Sequence, residues 1–96
     1  MDGKYSIVLN TNMGVERGIL VVNTDGDTLS GYIVARGVNN YFNNGKKIGN
    51  KFEFSGEIKV MFMRIQYYAT GVIKGNKIEG FAKTKYGNFA MKGTKI

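Results

Sequence analysis

Three arginines, Arg17, Arg36 and Arg64, carry the most specific chemistry in this chain. A guanidinium presents a planar fork of donors that matches a carboxylate or a phosphate. Around them stand Met13, Met61, Phe62 and Tyr86, which are apolar yet fall between strand patterns. Methionine and aromatic side chains suit an adaptable apolar pocket. The combination predicts a site for a small amphipathic anion, fatty-acid-like or phosphate-bearing. Lys59, Lys83 and Lys85 add positive charge to the same set.

What the chain lacks narrows the chemistry further. Histidine and cysteine are both absent. That removes the commonest general base and the usual ligands of zinc, haem and iron–sulfur centres, so no metal and no cofactor is expected. Of the carboxylates, Glu53, Glu57 and Glu79 alternate with apolar residues and read as solvent-facing, while Asp25 and Asp27 flank Gly26 in a turn. Ser6, Ser30 and Ser55 have no neighbouring base in a nucleophile motif. Gly45-Lys46-Lys47 lacks the Ser/Thr and the following helix of a phosphate loop. A non-enzymatic binding protein is the expectation.

The elements that must position these residues are strands. Period-two alternation dominates, most cleanly in Lys51-Phe52-Glu53-Phe54-Ser55-Gly56-Glu57-Ile58-Lys59. Gly26-Asp27, Gly49-Asn50 and Gly75-Asn76 each open a strand that carries a second glycine. Reading strands between turn signals predicts eight, near 4–10, 17–23, 28–36, 39–48, 51–60, 63–74, 77–84 and 88–95, with a bulge at Asn43-Asn44-Gly45 where glycine takes positive φ. Every connection is short, so the fold class is all-β, an antiparallel up-and-down meander. Closure into a barrel removes its two edges. The 96 residues form a single domain, 1–96. The expected inward residues are Tyr5, Ile7, Leu9, Ile19, Val21, Leu29, Ile33, Phe52, Phe54, Ile58, Met63, Ile65, Tyr67, Ile78, Phe89 and Met91. A shift of 49 places Gly26–Gly31 on Gly75–Gly80, which suggests two four-strand halves.

In strand number and meander order the chain resembles the calycin barrels, lipocalins and avidins among them, although Gly-x-Trp is missing and there is no Trp at all. Thr11-Asn12-Met13-Gly14 and Gly26-Asp27-Thr28-Leu29-Ser30-Gly31 also resemble a small bacterial β-domain with Thr-Pro-Met-Gly and Gly-Asp-x-Leu-Ser-Gly patterns, Asn12 replacing the proline. In a meander the turns alternate between ends, so the three Gly-Asp/Asn turns share one end. The opposite rim gathers turns 1–2, 3–4, 5–6 and 7–8, with the arginines, methionines and aromatics. The calycin resemblance implies that this rim frames a ligand mouth. In the competing arrangement Met61, Phe62 and Tyr86 fold back and plug the barrel.

Charge leaves two further readings open. The formal net charge is +7. Residues 1–43 hold three Lys/Arg against four Asp/Glu, whereas residues 44–96 hold eleven against three. Such a balance favours anionic partners. With six Tyr and six Phe it also fits a single-stranded nucleic-acid binder, most clearly at Arg64-Ile65-Gln66-Tyr67-Tyr68, where Arg64, Gln66 and Tyr68 face outward and Tyr32 and Phe81 extend the platform. Alternatively the outward set Val8, Leu20, Val22, Tyr32, Val34, Tyr68, Val72 and Phe81 belongs to a homodimer interface. No signal-peptide pattern and no transmembrane run is seen, so a cytoplasmic location is expected.

Overall fold

The computed structural model of the chain describes residues 1–12, 14–60 and 62–96, so Met13 and Met61 of the expected rim lie outside the described residues. Eight strands follow one another: β1 (Gly3–Thr11), β2 (Gly14–Asp25), β3 (Thr28–Ala35), β4 (Val38–Ile48), β5 (Lys51–Val60), β6 (Met63–Lys74), β7 (Lys77–Thr84) and β8 (Gly87–Lys95). Each pairs antiparallel with the next, and β1 pairs with β8, from Tyr5 opposite Lys95 to Asn10 opposite Ala90. The meander is therefore a closed barrel.

The three Gly-Asp/Asn turns close the hairpins at one end. Gly26, Gly49 and Gly75 have φ of 61°, 61° and 59°. Arg36 is the one non-glycine residue with positive φ among the described residues, so Asp27, Asn50 and Asn76 keep negative φ. Positive φ at the first central residue alone marks a type II′ turn, whose twist matches the flanking strands. Each turn is also clasped to the strand beyond its own hairpin. The carbonyls of Asp27, Asn50 and Asn76 accept the N–H groups of Lys47, Ile73 and Lys95 at 2.8, 2.6 and 2.7 Å.

Internal repetition extends to the strands. β2 and β6 are offset by 49 residues, as are β3 and β7, and both pairs match in length. The barrel is two four-stranded halves, β1–β4 and β5–β8, in tandem.

The interior is one cluster that includes Tyr5, Ile7, Leu20, Leu29, Phe52, Phe54, Tyr67, Ile78 and Met91. The cross-strand pairing shows how it fits: a large inward residue faces an inward glycine in Ile7–Gly18, Leu29–Gly45, Phe52–Gly71, Tyr67–Gly56 and Ile78–Gly93. Each glycine leaves room for the side chain opposite, so a narrow barrel is filled without overlap. Rings of Phe42, Phe52 and Tyr67 surround Phe54, with centroids at 4.3, 6.0 and 5.9 Å.

The structure corrects three expectations. On β2 the buried residues are Leu20 and Val22, while Ile19 and Val21 face outward. Gly18-Ile19-Leu20-Val21-Val22 is apolar without alternation, so the facing is decided by register, with Tyr5 opposite Leu20 and Ile7 opposite Gly18. Met63 is exposed, since it stands at the tip of the β5–β6 hairpin. Leu9 and Ile58 pack against the core as expected, partly buried, and Ile65 and Phe89 are partly buried too. The bulge is present: Leu29 faces Gly45 but Gly31 faces Phe42, leaving an extra residue on β4. Gly45 does not have positive φ there. Its role is steric, because a Cβ would lie 2.7 Å from Leu29 Cβ and 3.0 Å from Phe54 Cβ.

Between β4 and β5 the ladder is short. Register pairs run from Lys46–Glu53 to Ile48–Lys51. Beyond them two asparagines stand in for backbone. Asn44 Oδ1 accepts the Ser55 N–H at 3.3 Å and its Nδ2 donates to Ser55 Oγ at 3.0 Å. Asn40, buried with the core, accepts the Lys59 N–H at 3.0 Å and donates to the carbonyls of Ile33 and Val38 at 3.2 and 3.1 Å. This seam holds the upper part of β5, and with it the hairpin that carries Arg64.

Candidate functional site

That hairpin outruns its neighbour. β6 pairs with β5 from Met63 to Val72, but its pairing with β7 begins only at Tyr68–Lys83. Residues 64–66 of β6 therefore stand beyond the end of β7 at Thr84, and an open cleft of about 570 Å³ forms in the angle. It is lined by Glu57, Arg64, Gln66, Tyr67, Tyr68, Lys83, Thr84 and Lys85. Alternation along β6 puts Arg64, Gln66 and Tyr68 on its outward side. Lys83 sits beside Tyr68 in register.

The turn from β7 to β8 supplies the far wall. Thr84 Oγ1 donates to the Gly87 carbonyl at 3.1 Å and accepts the Tyr86 N–H at 3.0 Å, which pins the turn. Thr11 Oγ1 makes the matching bond to the Gly14 carbonyl, 2.8 Å, at turn 1–2. The pinned turn presents Lys85 to the cleft, with its ammonium 5.2 Å from the Tyr86 ring centroid.

Two tyrosines shape the floor. Tyr68 donates its hydroxyl to Glu53, and that bond is the main reason its pKa is raised. The ring is thereby held in one orientation. Tyr67 is buried, and its hydroxyl has no hydrogen-bond partner among the described residues. Burial raises the Tyr67 pKa well above the ordinary tyrosine value. The hydroxyl lies over Gly56, and both residues line a second, smaller hollow of about 260 Å³ with Ser55, Glu57 and Gln66.

Of the residues expected to hold a ligand, Arg64 lines the cleft and Tyr86 borders it through Lys85. Arg17 lies on β2 opposite Val8, away from it. Arg36 occupies the β3–β4 turn at φ 51° and pairs with Glu16, Nη2 to Oε1 2.8 Å. Phe62 is fully exposed and Tyr86 is 45% exposed, so neither plugs the barrel. Gln66, Tyr67, Tyr68 and Glu57 were not expected in an anion site, although the mixed segment Arg64–Tyr68 was the available signal. No group of three or more metal-ligating side chains occurs among the described residues. Nor is any helix of those residues long and apolar enough to cross a membrane. No family model, no curated protein and no solved structure matches this chain, so what the cleft can do is decided by the residues that line it.

Proposed function

We propose that the chain is a non-enzymatic, calycin-like binding barrel that takes a small amphipathic anion in the cleft between β6 and the β7–β8 turn. The observation that carries this reading is the convergence of Arg64, Lys83 and Lys85 on one open cleft, against the single carboxylate Glu57. Arg64 and the lysines supply charge-assisted bonds to the head group. Tyr68 and Tyr86 supply a partly apolar border beside it. The inward side chains already occupy the lumen, so the apolar part of such a ligand lies along the rim rather than inside. The excess of positive charge favours capture of anions from solution.

The test is calorimetric titration of the full chain with a medium-chain alkyl phosphate at low salt. Binding is expected, and Arg64→Gln with Lys85→Gln should weaken it by about tenfold or more. No binding by the wild type, or binding unchanged in the double variant, would overturn the reading. A second reading is favoured by exposed Phe81, two residues from Lys83 on the same outward row. With Tyr68 and Tyr86 it makes a stacking row beside the cations, as single-stranded nucleic acid requires. An oligothymidylate that binds more tightly than the alkyl phosphate, with a steep loss of affinity in salt, selects this second reading.

A further inference from the structure

The two halves of the barrel share strand positions but differ on their outer surfaces. On β2, β3 and β4 the outward side chains Ile19, Val21, Tyr32, Val34 and Tyr41 form one apolar face. Register places Ile19 beside Val34, Val21 beside Tyr32 and Tyr32 beside Tyr41, whose rings are 5.2 Å apart. Tyr41 is 70% exposed, and Val15 on the same side of β2 is 56% exposed. The second half is an internal control. At the 49-residue offset, Val15 and Val34 correspond to Arg64 and Lys83, Val21 to Thr70 and Tyr41 to Ala90, while Ile19 and Tyr32 correspond to the aromatics Tyr68 and Phe81. The barrel thus accepts a charged residue at the positions of Val15 and Val34 and a small one at those of Val21 and Tyr41, so its geometry does not demand large apolar side chains there. Ile19, Val21, Tyr32 and Val34 are half-buried beside the exposed Tyr41 and Val15, and a contiguous apolar surface that the fold does not require marks one that is covered.

We propose that a second copy of this chain covers the β2–β4 face, in a two-fold symmetric dimer. Charge distribution points to this occupant. Residues 14–48, which make β2–β4, are nearly neutral with four Lys/Arg against three Asp/Glu, while residues 63–95, which make β6–β8, carry seven against one. Pairing through the near-neutral face leaves the two basic sides pointing away from each other. Pairing through the basic sides brings like charges together. A symmetric contact uses the same patch on both copies and closes on itself. A standard interface needs about 800 Å² per partner, roughly an eighth of the 6108 Å² surface of the chain, which one four-stranded half can supply. This inference is independent of the anion cleft, which lies on the other half.

Sedimentation of the full chain from about 1 µM to about 1 mM tests it across the affinity range of such contacts. A monomer–dimer equilibrium is expected. Val34→Lys and, separately, Val15→Arg install the residues of the other half, so folding should be kept. Val34→Lys should raise the dimer dissociation constant by about tenfold or more, because a charge is buried at the contact without a partner. Circular dichroism and the thermal midpoint should stay unchanged, and Val15→Arg serves if Val34→Lys does not fold. A wild type that stays monomeric throughout, a dimer unaffected in folded variants, open-ended assemblies, or flotation with neutral vesicles in place of dimerisation would each overturn the proposal.

Discussion

Asn40 is the residue whose replacement should cost most for its size. Its side chain makes three hydrogen bonds, to the Lys59 N–H and to the carbonyls of Ile33 and Val38, at a site that is only 5% exposed. Asn40→Ala removes all three. At about 1 kcal/mol net for each bond, the loss is roughly 3 kcal/mol. For a domain of this size that lowers the melting midpoint by roughly 12–24 °C. Urea unfolding followed by circular dichroism should show a lower midpoint with an unchanged slope. Asn40→Asp is the sharper probe. The carboxylate keeps the acceptor for Lys59 but sets negative charge against two carbonyls, so its folded pKa is raised above the unfolded value near 3.9. A raised acid is fully favourable below its unfolded pKa and loses that contribution as pH climbs through the folded value. The deficit against wild type should thus be small near pH 3.5 and large at pH 7. A loss below about 1 kcal/mol in Asn40→Ala, or a pH-independent deficit in Asn40→Asp, would refute this account of the seam.

Two further outcomes follow from the core. Tyr67 holds a buried hydroxyl with no partner among the described residues and a raised pKa. Its ionisation is therefore penalised in the folded state, and stability should fall as pH rises above about 10. Tyr67→Phe should be as stable as wild type or up to about 1 kcal/mol more so at pH 8, and should lose less at pH 11, as read from denaturant midpoints. Gly45→Ala drives a methyl against the Cβ atoms of Leu29 and Phe54. That overpacking should cost about 1–3 kcal/mol, measured in the same way.

Much of the fold was legible because its punctuation is chemical. Gly-Asp and Gly-Asn demand turns, and alternation such as Phe52-Glu53-Phe54 states which face is inward, so eight strands and a barrel could be read directly. The bulge at Asn43–Gly45 was legible for the same reason, though its glycine is required by contact with Leu29 and Phe54 rather than by a positive φ. The facing of Ile19–Val22 was not, since four apolar residues in a row fit either face and a partner strand must choose. Asn40 reads as a turn residue, and only the short β4–β5 ladder makes it structural. Arg64 could be named from the sequence as a candidate anion ligand. Its grouping with Lys83 and Lys85 rather than with Arg17 and Arg36 depends on how far β6 runs past β7, a matter of relative strand length in space.

The closure of β1 on β8 also constrains the order of assembly. Tyr5 and Lys95 meet across almost the whole chain, whereas every other strand pair is a hairpin between neighbours in sequence. Bringing distant segments together costs chain entropy that local hairpins do not, so closure belongs late in folding. The other thin joint is the asparagine-bridged seam between β4 and β5. Both joints fall at the borders between the two halves. Each half can gather its four strands through local contacts before it meets the other. Joining the two curved sheets along these seams is then the expected slow step, and replacements at Asn40 or at the β1–β8 contact should slow refolding more than equal damage within the other hairpins.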